Sequence, residues 1–513
     1  MPVSFNRIPD GLRVPLFWAE FDATQAGYLA SAQPACLLGH KLTTAPGAEL
    51  VPVLVSGVDQ AIALFGAGSL LADMVDAYRQ NDPTGELWCV AVPVPAGAAQ
   101  TRTVTFTGTA TAAGTVAVYV GGRRVALAVT TTSTPDAMAT ALAAEINAHP
   151  LIAMSAAAAA GVVTLTARHT GELGSGIDVA LNLRGVNGGE WTPAGLTVAV
   201  ADGTAGTGSP DPDDIAAAFA TLADAEYDFI GVPWSDVGTL DACQDATNDA
   251  TGRWAWDKQL YGHVFSARSG WRDDSAAEQV ADLVGYGSAR NDPHLSLLGY
   301  PASPSPPWRF AAALTAEAAV GIREDPARPL QTLPLLGVVF AARGSRFTVG
   351  DRQSLLYHGI ATCTVGLDGV VRIERSITTY QKNAFGQSDP SWLDVQTPAT
   401  LQYLVRTLRN AILTKFPRHK LANDGTRFGA GQAIVTPNIL KAELVAQYSG
   451  LEDLGMVENM DAFKAFLIVE RDPVDPNRVN VLLPPDLVNQ LRIFAALVQF
   501  RLQYSAQALA TAV

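Results

Sequence analysis

The 513-residue chain is sparing with the residues from which active sites and membrane spans are built. Its four cysteines, Cys36, Cys89, Cys243 and Cys363, are separated by 53, 154 and 120 residues, which excludes C-x-x-C redox pairs and zinc-ribbon spacing and predicts reduced, buried thiols. The histidines (His40, His149, His169, His263, His294, His358 and His419) are scattered singly, with no pair at i, i+3 or i, i+4, so no helix carries a zinc motif. No apolar run reaches the ~18 residues of a membrane helix, and residues 1–10 lack a basic stretch followed by an apolar one. A soluble protein made in the cytoplasm, without membrane insertion, is the expectation. Only 16% of residues are charged, yet 35 basic residues face 49 acidic ones for a net charge of −14. That field repels phosphate and argues against a general nucleic-acid binder. A hydrophobic content of 48% equally excludes a disordered acidic chain.

Catalytic motifs are missing too. There is no G-x-S-x-G elbow, H-E-x-x-H helix or G-x-x-x-x-G-K-[ST] loop. Gly66-Ala67-Gly68-Ser69 lacks the third glycine of a dinucleotide turn and reads as a helix break. The glycine-rich stretch 203–208 reads as a linker. Asp213-Asp214 and Asp273-Asp274 are adjacent pairs that do not face each other on a helix and suit helix starts. No catalytic, cofactor or metal-binding residue is assigned.

At about 150 residues per domain the length suggests about three domains. Residues 1–34 mix turn and extended apolar residues; Val14, Leu16 and Trp18 form a stretch that Pro15 restricts to an edge or isolated strand. Short apolar strands at 35–39, 51–55 and 86–94 surround a helical stretch at 58–80, so 35–97 reads as α/β. From 98 to 205 the chain turns rich in Thr, Val, Ala and Gly. Period-2 strands, a Gly121-Gly122 hairpin signal and one helix capped by Thr134-Pro135 make this a β-rich insert. Strands and helices alternate again across 206–395, the pattern of a mostly parallel sheet, with a hairpin turning at Asp368-Gly369. Residues 396–490 begin with an amphipathic helix and continue as α+β. Within 491–513, Phe500, Leu502 and Tyr504 alternate strictly with polar residues, and so few residues follow that this strand's partner need not lie in its own chain. The fold class is thus multidomain α/β and α+β: a mostly parallel core, a β-rich insert, an α+β C-terminal domain and extended arms.

One charge feature stands out. Between 401 and 441 seven basic residues meet a single acid, Asp424, and residues 401–513 carry +2 against −16 for the rest. Arg406, Arg409, Lys415, Arg418 and Lys420 form either an ordinary solvated face or a docking surface for an acidic partner.

Several segments resemble the tail sheath proteins of contractile-tailed phages, the Mu-like group in particular. They are 3–9 through Glu20-Phe21-Asp22, 375–381 followed by 389–395, Phe416-Pro417-Arg418-His419-Lys420-Leu421-Ala422-Asn423-Asp424-Gly425 with Val435-Thr436-Pro437, Val469-Glu470-Arg471, and 484–490. The resemblance covers nearly everything outside 98–205. It implies a structural subunit, not an enzyme, that stacks as hexameric rings around a tail tube and contracts to drive the tube through the host envelope. It further implies arms that add strands to neighbouring subunits, an outward insert, a tube-facing basic surface, baseplate and tail terminator partners, and a place in the virion tail after assembly in the host cytoplasm. It implies no cofactor and no direct contact with nucleic acid. The rival readings are an α/β hydrolase-like enzyme with a β-rich accessory domain and a monomeric adhesion protein; the sequence shows neither a catalytic cluster nor a secretion signal.

Overall fold

The computed structural model describes residues 33–270, 275–429, 431–500 and 502. The chain opens with β1 (Ala35–His40), β2 (Pro52–Leu54), α1 (Val58–Phe65), α2 (Leu70–Asn81) and β3 (Leu87–Val92). The break between α1 and α2 falls at Gly66 and Gly68, with φ of 95° and 75°, and Ser69 Oγ restarts the helix by accepting from the Ala72 N–H. The insert comprises β4 (Ala99–Gly108), β5 (Gly114–Val120), β6 (Arg123–Val129), α3 (Pro135–Ala148), β7 (Met154–Ala159), β8 (Val162–Thr170), β9 (Val179–Leu181) and β10 (Leu196–Asp202). It forms two sheets, ordered β10-β4-β8-β7 and β6-β5-β9. As its sequence predicts, Thr134 caps α3 and Gly121-Gly122, both at positive φ, turn the β5–β6 hairpin.

The α/β run then resumes with α4 (Pro212–Thr221), β11 (Phe229–Gly231), α5 (Val237–Thr247), β12 (His263–Ser269), α6 (Ala276–Ser288), β13 (Leu295–Tyr300), α7 (Pro307–Glu324), α8 (Val349–Tyr357), β14 (Ile360–Val365) and β15 (Val371–Arg375). One eight-stranded sheet collects both parts in the order β15-β14-β13-β12-β11-β1-β3-β2. Its six inner strands are parallel, and β15 and β2 close the edges antiparallel. The inner strands are nearly all apolar because both faces are covered. Alternation along β1 shows it: Ala35 and Leu37 pack with α2 and α7, while Cys36 and Leu38 pack with α4 and α5.

The C-terminal region contains α9 (Gln396–Lys415), β16 (Lys420–Leu421), β17 (Ile434–Val435), α10 (Pro437–Asp453), β18 (Val457–Glu458), α11 (Met460–Phe466), β19 (Ile468–Arg471), β20 (Val479–Leu482) and β21 (Asp486–Leu487). It has its own small core of Leu404, Leu408, Leu444, Tyr448, Leu451, Phe463 and neighbours, with Tyr448 and Phe463 stacked at 3.7 Å.

Buried polar contacts fix the insert against the core. Arg123, at the start of β6, donates to Asp73 at 2.5 Å and Asp76 at 2.7 Å on α2. Arg309 of α7 reaches the same two carboxylates at 2.5 and 3.1 Å, and Trp308 Nε1 donates to Asp73 at 2.7 Å. The two guanidinium charges hold the Asp73 carboxyl below the usual carboxylate range against the opposing effect of burial. On the other side of the seam His169 Nε2, from β8, accepts the Leu70 N–H at 2.9 Å, and its ring lies 5.8 Å from that of His40 at the end of β1. His40 Nδ1 donates to the Val92 carbonyl and its ring packs 4.8 Å from Trp234. Burial pushes His40 down to about 4 and His169 down to about 3, so both rings are neutral at pH 7.

Two consequences are measurable. Asp73→Ala removes the carboxylate that Arg123, Arg309 and Trp308 share, leaving Asp76 alone to face both guanidiniums, and is expected to cost about 3 kcal/mol in denaturant unfolding, the low end of the range for breaking a buried pair. The histidine seam loses stability in acid, because the unfolded chain binds protons from about pH 6.5 downward while the folded seam resists them until about pH 4. The melting temperature is therefore expected to fall between pH 6.5 and pH 4. His169→Gln, which keeps an acceptor for Leu70, should flatten that dependence.

Candidate assembly surfaces

The fold could have housed an enzyme. The strand order reverses between β1 and β11, and beyond the carboxyl ends of the strands lies a crevice of about 430 Å³ lined by His40, Trp234, Asp236, Arg268 and Tyr286 among others. Its one guanidinium is already engaged: Arg268 pairs with Asp282 at 3.2 Å and lies 3.4 Å over the Tyr286 ring. The nearest approach to a nucleophile and base lies elsewhere, at His263 Nε2 and Ser296 Oγ, 2.8 Å apart. Both side chains are buried inside the sheet, burial holds the imidazole well below its usual pKa, and His263 Nδ1 has no hydrogen-bond partner to orient the ring. Among the described residues no group of three His, Cys, Asp or Glu side chains could hold a metal ion.

The basic segment divides in two. Arg406 is turned inward with its side chain 11% exposed, and it pairs with Glu226 at 2.8 Å and Asp228 at 2.7 Å, beside Gln402, which donates to the same Asp228. Its expected place on a docking surface is corrected accordingly. Located on the same side of α9 as Gln402, it bolts the C-terminal helix to the start of β11 and the core. Lys415 is exposed but shares its charge with Glu443 at 2.7 Å. Arg409, Arg418, Lys420 and Arg427 are exposed and have no carboxylate partner among the described residues. Together with Lys415 they keep the exposed part of the 401–441 segment cationic.

The end of the chain is where the fold stops burying its apolar residues. Strands β19 and β20 form an isolated two-stranded antiparallel hairpin with Ile468, Val481 and Leu482 in water. Its Val/Ile-rich arms and the Asp472-Pro473 and Asp475-Pro476-Asn477 turn between them were a legible hairpin signal. After β21 no regular element follows among the described residues. Ile493, Phe494, Leu497 and Val498 are exposed, Phe500 is 81% exposed and Leu502 98%. Tyr504 lies outside the described residues, as do Val14, Leu16 and Trp18 of the N-terminal stretch. What the sequence reading missed is the last anchored residue, Arg492. Its signal was available, since it is the sole charge between 487 and 500.

Comparison with known proteins now completes the picture. Residues 95–197 match the phage tail sheath protein beta-sandwich domain, 208–379 the phage tail sheath protein central domain, and 387–501 the phage tail sheath C-terminal domain. A Mu-like prophage tail sheath protein from Haemophilus influenzae is 40% identical over 503 residues, covering 98% of this chain and all of that one. Crystal structures of sheath tail proteins from Desulfitobacterium hafniense and Listeria innocua are each 12% identical, cover 93% and 89% of this chain and 100% and 92% of their own, and superpose with TM-scores of 0.46 and 0.47. The sequence matches carry the assignment: the chain belongs to the phage tail sheath family, a family of structural proteins and not of enzymes.

Proposed function

We propose that the chain polymerises around a tail tube as stacked hexameric rings and contracts to drive the tube through the host envelope, delivering the genome. The single observation that carries this reading is the exposed apolar tail beyond Arg492, in a chain whose hairpin β19–β20 pairs with no further strand among the described residues. Adding a neighbour's tail as a third strand satisfies backbone groups on both sides and buries apolar side chains. Residues 491–513, with Phe500, Leu502 and Tyr504, are the C-terminal arm in this reading, and 1–34, with Val14, Leu16 and Trp18, the N-terminal one. The core is split between 35–97 and 206–395, the insert 98–205 points outward, and 396–490 is the inner domain. The arms hold subunits together while the rigid bodies rotate and slide, so the stroke draws on subunit contacts and requires no nucleotide. Sheath subunits are components of the virion tail; assembly in the host cytoplasm, starting at a baseplate and ending at a terminator, is part of the proposal.

The inner domain's cationic region, Arg409, Lys415, Arg418 and Lys420 extended by Arg427, is the proposed contact for an acidic tube. Exposed charges steer and orient more than they bind, so the contact should weaken with salt.

Sedimentation and electron microscopy test both parts. Deleting 1–27 or 493–513 is expected to leave a folded subunit that no longer forms tubular polymers; intact polymers from either truncation would contradict the arm reading. Reversing Arg409, Arg418 and Lys420 to Glu should leave self-assembly intact while weakening capture of purified tube by at least about tenfold. Unchanged capture would remove this surface from the tube interface.

A further inference from the structure

We propose that Arg492 is the root of the C-terminal arm, a positioning residue that fixes where the arm leaves the body and couples it to the edge of the central sheet. The inference rests on the reading of 491–513 as an arm and adds to it a specific anchor. Arg492 Nη2 donates to Asp394 Oδ1 at 3.0 Å, Gln396 Oε1 at 2.8 Å and Gln490 Oε1 at 2.7 Å, and Nη1 faces Gln331 Oε1 at 3.4 Å. Gln331 returns a bond from Nε2 to the Leu491 carbonyl at 3.3 Å. The Arg492 side chain is 12% exposed, whereas Ile493 and Phe494, immediately after it, are 79% and 85% exposed. Order in the arm's anchorage therefore ends at one residue.

The partner of that residue matters as much. Asp394 also takes a two-pronged grip from Arg375, Nε to Oδ1 at 3.0 Å and Nη2 to Oδ2 at 2.9 Å. Arg375 ends β15, the edge strand of the central sheet, and Asp394 lies two residues before the start of α9. One carboxylate thus ties together the sheet edge, the entry to the C-terminal domain and the arm. A guanidinium suits this cradle because its planar fork can reach several acceptors at once, which a lysine ammonium on a flexible stem does not reproduce. The Arg492 cradle sets the direction in which the arm leaves the body, and a pull on the arm is delivered to the sheet edge through Asp394.

The test uses the full chain in a Cys363→Ser background, with spin labels on Leu497→Cys in the arm and Asn477→Cys on the body. The monomer with Arg492 intact should give a narrow distance distribution and Arg492→Ala a broad one. The melting temperature should change by no more than about 2 °C, since a largely structural role would move stability and not the distribution. Sedimentable polymer should fall at least about tenfold in Arg492→Ala and by less in Arg492→Lys. Equal distributions, or wild-type polymer yield from Arg492→Ala, would overturn the proposal. Should Arg492→Ala fail to fold, the double variant Gln331→Ala with Gln396→Ala, which thins the cradle without removing the charge, decides by the same two readouts. A parent chain that forms no polymer at all contradicts the sheath reading itself, and the distance distributions then still judge the anchor.

Discussion

Ile493, Phe494, Leu497, Val498, Phe500 and Leu502 stand in water in close succession along 493–502, the densest run of exposed apolar side chains among the described residues. Full burial of such a side chain is worth roughly 1.5–3 kcal/mol, so the tail withholds a free energy comparable to the whole stability of a domain. The central sheet offers the tail no face, since both are covered, and its β15 edge is capped by backbone bonds from Thr332 to Leu335. Near the C-terminus the longest of the two-stranded pairs with open edges is the β19–β20 hairpin. In the proposed polymer each subunit would supply what its neighbour lacks.

That arrangement works only if the body is stiff. A strand that transmits force must be rooted in something that does not yield, and the molecule places buried or part-buried charge networks at each junction. Asp73 and Asp76 grip Arg123 and Arg309 where the insert meets the core. Glu226 and Asp228 grip Arg406 where the C-terminal helix meets the core. Asp394 grips Arg375 and Arg492 where the arm departs. Buried ion pairs are a poor source of net stability, but their geometry is demanding and their disruption is costly. They fix orientation, which is what rigid bodies sliding against one another require.

Much of the architecture was legible in the sequence because it rests on local physics. Short apolar runs in 35–39 and 294–300, the Thr134-Pro135 cap, the Gly66–Gly68 break and the Gly121-Gly122 turn each have a cause within a few residues. The junctions were not legible. Arg406 belongs to a run of exposed basic residues in sequence, and its inward turn depends on Glu226 and Asp228, about 180 positions away. The antiparallel direction of β2 follows from tertiary pairing with β3, and the convergence of Arg375 and Arg492 on Asp394 joins segments that no periodicity connects. Charge pattern gives the sign of a surface, but not which of its members the fold keeps for itself.

Hydrogen–deuterium exchange on the assembled protein tests the central claim most directly. If the tail is a strand waiting for a neighbour, the backbone amides of 493–500 and of the β19–β20 hairpin should exchange freely in the monomer and become protected together on polymerisation. Tail amides that exchange in the polymer as fast as in the monomer would contradict the account.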